Sequence, residues 1–191
     1  MRQIAELLAK TLVDSGWAKS VKGCSEANVV ALEQELGYAL PAEYKKFLLV
    51  MGIEANGFED DALWTFDMLP DIEKRAHEII QNSARNSDGE LIREPFKLPE
   101  KAFVYLAGDT DFIFFDASLG DDPPVHLYVE TQDVPSKSIN SFTEWLQFEL
   151  DDIVETAADL ERAREWRIKH GLPPEAIHCY EEQQGRNLPP V

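Results

Sequence analysis

Three short acidic runs hold most of the reactive potential in this 191-residue chain: Glu59-Asp60-Asp61, Asp109-Thr110-Asp111 and Asp121-Asp122. Closely spaced carboxylates are the raw material of acid–base catalysis and of hard-cation binding. Their spacing here argues against both. The Asp-Thr-Asp run lacks the further ligands and the glycine of a calcium loop, and in a chain with 36 acidic residues such pairs arise by chance. The four histidines, His77, His126, His170 and His178, form no HExxH arrangement. His178 and Cys179 are adjacent, and neighbours on a helix point apart, whereas shared ligands need a separation of three or four. Cys24 sits among small residues with no visible histidine partner, and there is no GxSxG, P-loop or GxGxxG. The sequence predicts a protein that is not an enzyme, with no catalytic residue, cofactor or metal.

As a charge distribution the same acids say more. The chain carries 36 acidic and 18 basic residues, a net charge of −18. Residues 102–161 hold 14 of the acids and a single lysine, Lys137, and so contribute −13. A field of that sign repels nucleic acid and anionic membrane, keeps a protein dissolved, and attracts a basic partner at long range. From charge alone the field serves solubility or a basic protein partner, and argues against nucleic acid and membrane. Ile4, Leu7, Leu8 and Leu12 recur at helical spacing, but Glu6, Lys10 and Asp14 interrupt any signal-peptide core. No apolar run reaches the roughly 20 residues that a membrane helix needs. Cys24 and Cys179 are far apart and form no CxxC pair, so neither a disulfide framework nor a zinc site is implied. A soluble, cytoplasmic protein is expected.

The elements that must position the acids are legible in part. In the stretch LEQELGYALPAEYKKFLLVMG, Leu32 and Leu36 continue an apolar row from Val29, and Gly37 is placed as a left-handed cap. Pro41 suits the first position of a new helix, in which Tyr44, Phe47, Leu48 and Met51 repeat the helical spacing up to Gly52. The stretch reads as two helices and a corner, with Leu40 as an apolar plug. Ser25 is the expected N-cap of the first, and the segment before it a linker from the N-terminal helix. Asn56-Gly57 carries turn chemistry ahead of an extended piece at Leu63 to Phe66, and Asp71 to Asn86 reads as a surface helix with Ala76, Ile79 and Ile80 inward. Three β-rich runs follow, AFVYLAG, DFIFFDAS and PVHLYVE, as in an antiparallel meander, with Phe112 to Phe115 central and VPSKSIN as an edge strand. Ser141 and Glu144 form a capping box for a helix whose stripe is Phe142, Leu146, Leu150, Ile153, Ala157 and Leu160. A short terminal helix is expected after Gly171. The order of helices, then strands, then helices argues α+β.

The two-helix corner, Trp64 after the loop, and the closing Ser141-Phe142…Trp145-Leu146 helix start together resemble the SUKH superfamily, over roughly Ser25 to Leu150. Glu33, Leu36, Gly37, Leu40, Pro41, Tyr44, Phe47 and Leu48 fall on its N-terminal signature. Met51-Gly52 stands where the family usually has Asn-Gly, and the Asp71 helix and everything past about Leu150 look like additions. The resemblance implies a twisted, mostly antiparallel sheet with N-terminal helices packed on it and a C-terminal helical extension. The expected divisions are an N-terminal helix and linker at 1–24, the α+β domain at 25–150, and a helical extension of it at 151–191. Bacterial members often neutralise a cognate toxin by binding it, and such toxins are often nucleases with basic clefts; eukaryotic members act as regulatory modules. The expectation is a binding module, either an immunity protein for a basic toxin domain, a scaffold, or a small-molecule binder with a pocket between the sheet and the Asp71 helix. The acids Glu59, Asp60, Asp61, Asp109, Asp111, Asp116, Asp121 and Asp122 are expected to form its partner face, with Trp64 or Tyr128 as an aromatic anchor if exposed. Residues 151–191 could pack back on the domain, extend it, or mediate dimerisation through Leu160 and Trp166; helical amphipathicity alone permits all three.

Overall fold

The computed structural model describes residues 4–170. Its elements are α1 (Ile4–Asp14), β1 (Val21–Lys22), α2 (Glu26–Leu36), α3 (Ala42–Met51), β2 (Glu54–Ala55), α4 (Leu69–Ser83), β3 (Ala102–Ala107), β4 (Asp111–Asp116), β5 (Val125–Val129), β6 (Lys137–Ile139) and α5 (Phe142–Lys169). The fold class is α+β. The expected terminal helix, with His178 and Cys179, lies outside the described residues.

Strands β3 to β6 form the antiparallel meander in sequence order. Between Val104 and Leu106 the β3–β4 register shifts. Such a bulge breaks the alternation of faces, and both Tyr105 and Leu106 accordingly join the same core. One face of the sheet, with Phe103, Tyr105, Phe115 and Val125, packs against Tyr44 and Phe47 of α3, Phe142 and Trp145 of α5, and Leu8 and Leu12 of α1. The opposite face, with Phe112, Phe114 and Tyr128, is covered by Ile72, Ala76, Ile79 and Ile80 of α4. Because both faces are covered, the central strand can be apolar at every position from Phe112 to Phe115, where a half-solvated strand would alternate.

The corner between α2 and α3 has an explicit anchor. Gly37 adopts φ +74° as the left-handed end of α2, and Leu40 is buried in the core. Pro41 takes an extended conformation at the N-cap, so α3 begins at Ala42, one residue later than the proline rule suggests. Glu33 reaches across the bend: its Oε1 accepts the Leu40 N–H at 2.8 Å and the Lys45 ammonium at 3.0 Å. Burial opposes ionisation of that carboxyl, but Lys45 and the Leu40 amide outweigh it and hold the pKa below its ordinary value.

Two further expectations are corrected. The segment before α2 is more than a linker, because β1 pairs antiparallel with β2 and the Cys24 N–H donates to Leu48 O at 2.8 Å. Gly23 makes that approach possible, since a Cβ there would fall on the carbonyl oxygen of Leu49. The extended piece at Leu63 is only one residue of β pairing, to Ala107, before a 3-10 turn at Phe66–Met68. At the other end, Ser141 Oγ accepts the Glu144 N–H at 3.0 Å, as the capping box requires, while the Glu144 carboxylate bonds Asn140 N–H rather than Ser141. α5 then runs unbroken across the expected boundary at 150.

Candidate partner-binding face

The loop after β2 is shaped by one turn and one ring. Gly57, at φ +83°, donates its N–H to Asp60 Oδ1 at 2.8 Å, and Phe58 is buried against Trp64 (5.1 Å between ring centroids) and Trp145 (6.1 Å). Held between these two restraints, Glu59 adopts φ +50°, the one non-glycine residue with positive φ among the described residues. Such a backbone is disfavoured for a residue with a Cβ and persists only where its surroundings enforce it. The Leu63–Ala107 pairing then lays the loop beside the β3–β4 hairpin, which carries Asp109 and Asp111. From the other side α5 contributes Glu149 and Asp152.

Glu59 and Glu149 meet carboxyl to carboxyl. Two like charges at that separation cannot both persist in a partly buried site, so one group keeps its proton. Burial, the Glu59 charge and Asp152 push Glu149 up to about 8, and its O–H donates to Glu59, while the Trp145 side chain also hydrogen-bonds to Glu149. Glu59 is raised by burial and by Asp111, Asp152 and Asp61, and Asp111 by burial and Asp109. Among the described residues none of the seven carboxyl groups here, Glu59, Asp60, Asp61, Asp109, Asp111, Glu149 and Asp152, has an ion-pair partner. Arg75 shares a cleft of about 210 Å³ with Asp60, Asp61 and Asp109, yet its guanidinium pairs with Glu78 at 3.6 Å.

The structure thus joins the first acidic run to Asp109 and Asp111 and separates both from the rest. Asp116, Asp121 and Asp122 lie at the opposite end of β4, about 17 Å away at the usual strand rise. Their polar groups serve the fold. Asp116 Oδ1 accepts Ser118 N–H at 2.8 Å, Asp122 Oδ1 accepts Thr143 N–H at the start of α5 at 2.8 Å, and the Asp121 carbonyl accepts Glu43 N–H at 3.0 Å. Trp64 and Tyr128 do not meet the condition of exposure set for an anchor: they are 6% and 1% exposed, and the Tyr128 hydroxyl donates to Gln132 O. Glu149 and Asp152 were not singled out in the sequence. The signal for Glu149 is its position four residues after Trp145, next to the apolar stripe of α5, where a carboxylate needs a reason to be.

No group of three or more His, Cys, Asp or Glu is placed to hold a metal ion among the described residues, and no helix there is long and apolar enough to cross a membrane. A second concavity of about 540 Å³ lies between α2, α4 and β3 and is lined by none of the seven carboxyl groups.

The pattern of the SMI1 / KNR4 family (SUKH-1) matches residues 23–147. The chain belongs to this family. No curated protein matches the sequence. The SUKH-1 region opens at the Gly23 contact with α3 and closes in the second turn of α5, so its bounds enclose the two-helix corner, α4 and the whole meander. Glu59, Asp60, Asp61, Asp109 and Asp111 fall inside it; Glu149 and Asp152 lie just beyond. Membership is consistent with a protein-interaction module.

Proposed function

We propose that this SUKH-1 protein is a non-catalytic binding module that neutralises a cognate toxin with a basic surface, through the acidic face at Glu59 to Asp61, Asp109, Asp111, Glu149 and Asp152. One observation carries the reading: seven carboxyl groups from three separate elements converge, and among the described residues none of them has a cationic partner. Self-repulsion of that size costs stability, and a cationic partner recovers it on binding. The resemblance to bacterial immunity proteins supplies the class of partner. Lysines and arginines of a nuclease cleft have the complementary charge.

The test is to co-express the protein with its neighbouring open reading frames, identify what co-purifies, and measure association with the captured partner at low and high salt. A basic, cell-toxic partner is expected, with an on-rate that falls steeply as salt screens the face. The double variant D61K/D109K changes two exposed side chains that support no hydrogen bond of the fold, and should slow association at least about tenfold at low salt. Salt-insensitive binding, or binding unaffected by D61K/D109K, would reject the acidic face. Absence of any partner from the neighbourhood would favour the regulatory role of the eukaryotic members.

A further inference from the structure

The groove between α2 and α4 has a lining unlike the acidic face. Its apolar surface comes from Leu32 and Leu36 of α2, Phe66 of the 3-10 turn, Leu69 at the start of α4, and Phe103 and Val104 of β3. At about 540 Å³ it falls within the range of small-ligand sites, roughly 300 to 1,000 Å³.

Three carboxylates stand on its rim: Glu35 on α2, Asp67 in the 3-10 turn, and Glu73 on α4. None of them has an ion-pair partner among the described residues, and no lysine or arginine lines the groove. The one basic side chain present, His77, has Nδ1 2.9 Å from the Glu73 carbonyl oxygen. An apolar floor under a rim of one sign selects a ligand with a greasy body and an opposite charge. Here that charge is positive.

The floor also limits the ligand's shape. Strand β3 is the edge of the sheet, and its outward backbone groups are mostly taken. Ala102 N–H donates to Pro99 O, the Ala102 carbonyl lies 3.5 Å from the Tyr38 hydroxyl, and Ala107 exchanges both of its bonds with Leu63. Between them Val104 lines the groove, and the β3–β4 register shifts directly after it. A peptide adding itself as a strand needs several consecutive open positions. With both ends of the strand engaged and a bulge between them, the edge suits a compact ligand better than an added strand.

We infer that this groove is a binding site for a small amphiphile with a single cationic head, its chain on the Leu32–Leu36 and Phe103–Val104 floor and its ammonium or guanidinium between Glu35 and Glu73. The site is independent of the acidic face, and it gives a defined ligand class to the pocket that the sequence placed between the sheet and the Asp71 helix.

The experiment is calorimetric titration of the full chain with n-decylammonium below its micelle concentration, with n-decanol and n-decylsulfonate as matched probes, and with backbone amide shifts recorded alongside. Saturable one-to-one binding is expected, at least about tenfold tighter for decylammonium than for either other head group, with shifts centred on Val104 and Leu36. Ala31→Trp, at an exposed helical position lining the groove, should abolish it, and E35Q/E73Q should weaken it about tenfold, while D61N/D109N on the other face leaves it unchanged. Thermal melts show that each variant is folded. Binding that ignores the head group, survives Ala31→Trp, or disappears in D61N/D109N would overturn the assignment. So would tighter binding of a lysine-flanked apolar peptide than of decylammonium.

Discussion

Replacing Glu149 by glutamine should stabilise the protein, and the gain should grow with pH. The carboxyl of Glu149 titrates near 8 in the fold because it is buried and faces Glu59 and Asp152, and near 4.5 when the chain is unfolded. Between those values the folded state holds a proton that the unfolded state has released, so the wild type loses stability as pH rises from about 4.5 to about 8 and is level beyond. At roughly 1.4 kcal/mol per unit, a displacement of this size has a ceiling of about 5 kcal/mol. The group is half-buried, and screening reduces that to about 2 kcal/mol. Glutamine keeps both contacts, since its Nε2 can donate to Glu59 and its Oε1 can hydrogen-bond with Trp145, and it carries no charge at any pH. For a chain of this length about 2 kcal/mol is about 4–8 °C in melting temperature. Thermal melts of wild type and E149Q at pH 5, 7 and 9 should show nearly equal transitions at pH 5 and the full gap at pH 9. A gap that does not change with pH, or an E149Q protein that melts below wild type at pH 9, would refute the shared proton.

Other substitutions test the fold. Glu33→Ala removes the acceptor of the buried Leu40 N–H along with the Lys45 pair, and should cost about 1–3 kcal/mol by urea unfolding, whereas Lys45→Ala should cost less than 1 kcal/mol. The hydroxyls of Tyr44 and Tyr105 are buried without a hydrogen-bond partner, so Tyr44→Phe should leave stability unchanged or raise it by up to about 1 kcal/mol; a loss of that size would show that the hydroxyl is engaged. The Cys24 thiol is pushed up to about 11 by burial and by Asp67, and should react with a disulfide reagent at pH 8 much more slowly than a free thiol. A rate matching free cysteine would contradict its burial.

Where periodicity and punctuation agree, the sequence is explicit. Ser25, Gly37, Gly52 and Ser141 mark helix ends by local rules, and the three β-rich runs become neighbouring strands because short connections leave no other arrangement. Pairings between distant residues are not encoded that way. β1 and β2 are two residues each and show no alternation; they exist because Gly23 lets one loop lie on α3. The acidic face shows the same limit. Asp109 and Asp122 look equivalent in sequence, yet a six-residue strand sends them to opposite ends of the sheet, where one is unpaired and the other caps α5. Glu149 meets Glu59 only through a packing of α5 on the loop that no local pattern reports. Burial of Trp64 and Tyr128 follows from the double cover of the sheet, which the continuous apolar run of β4 already implied.

Covering the sheet on both faces has a consequence for how such a protein can change. The side chains of the two cores are turned inward, and the unpaired acids sit on a loop, a hairpin and the edge of one helix beside them. On the proposed reading, a substitution at Asp61 or Asp109 changes the partner surface at exposed side chains that take no part in either core, so a toxin that shifts its surface could be followed residue by residue. The separation would let two descendants of one ancestor share every buried aromatic and recognise nothing in common.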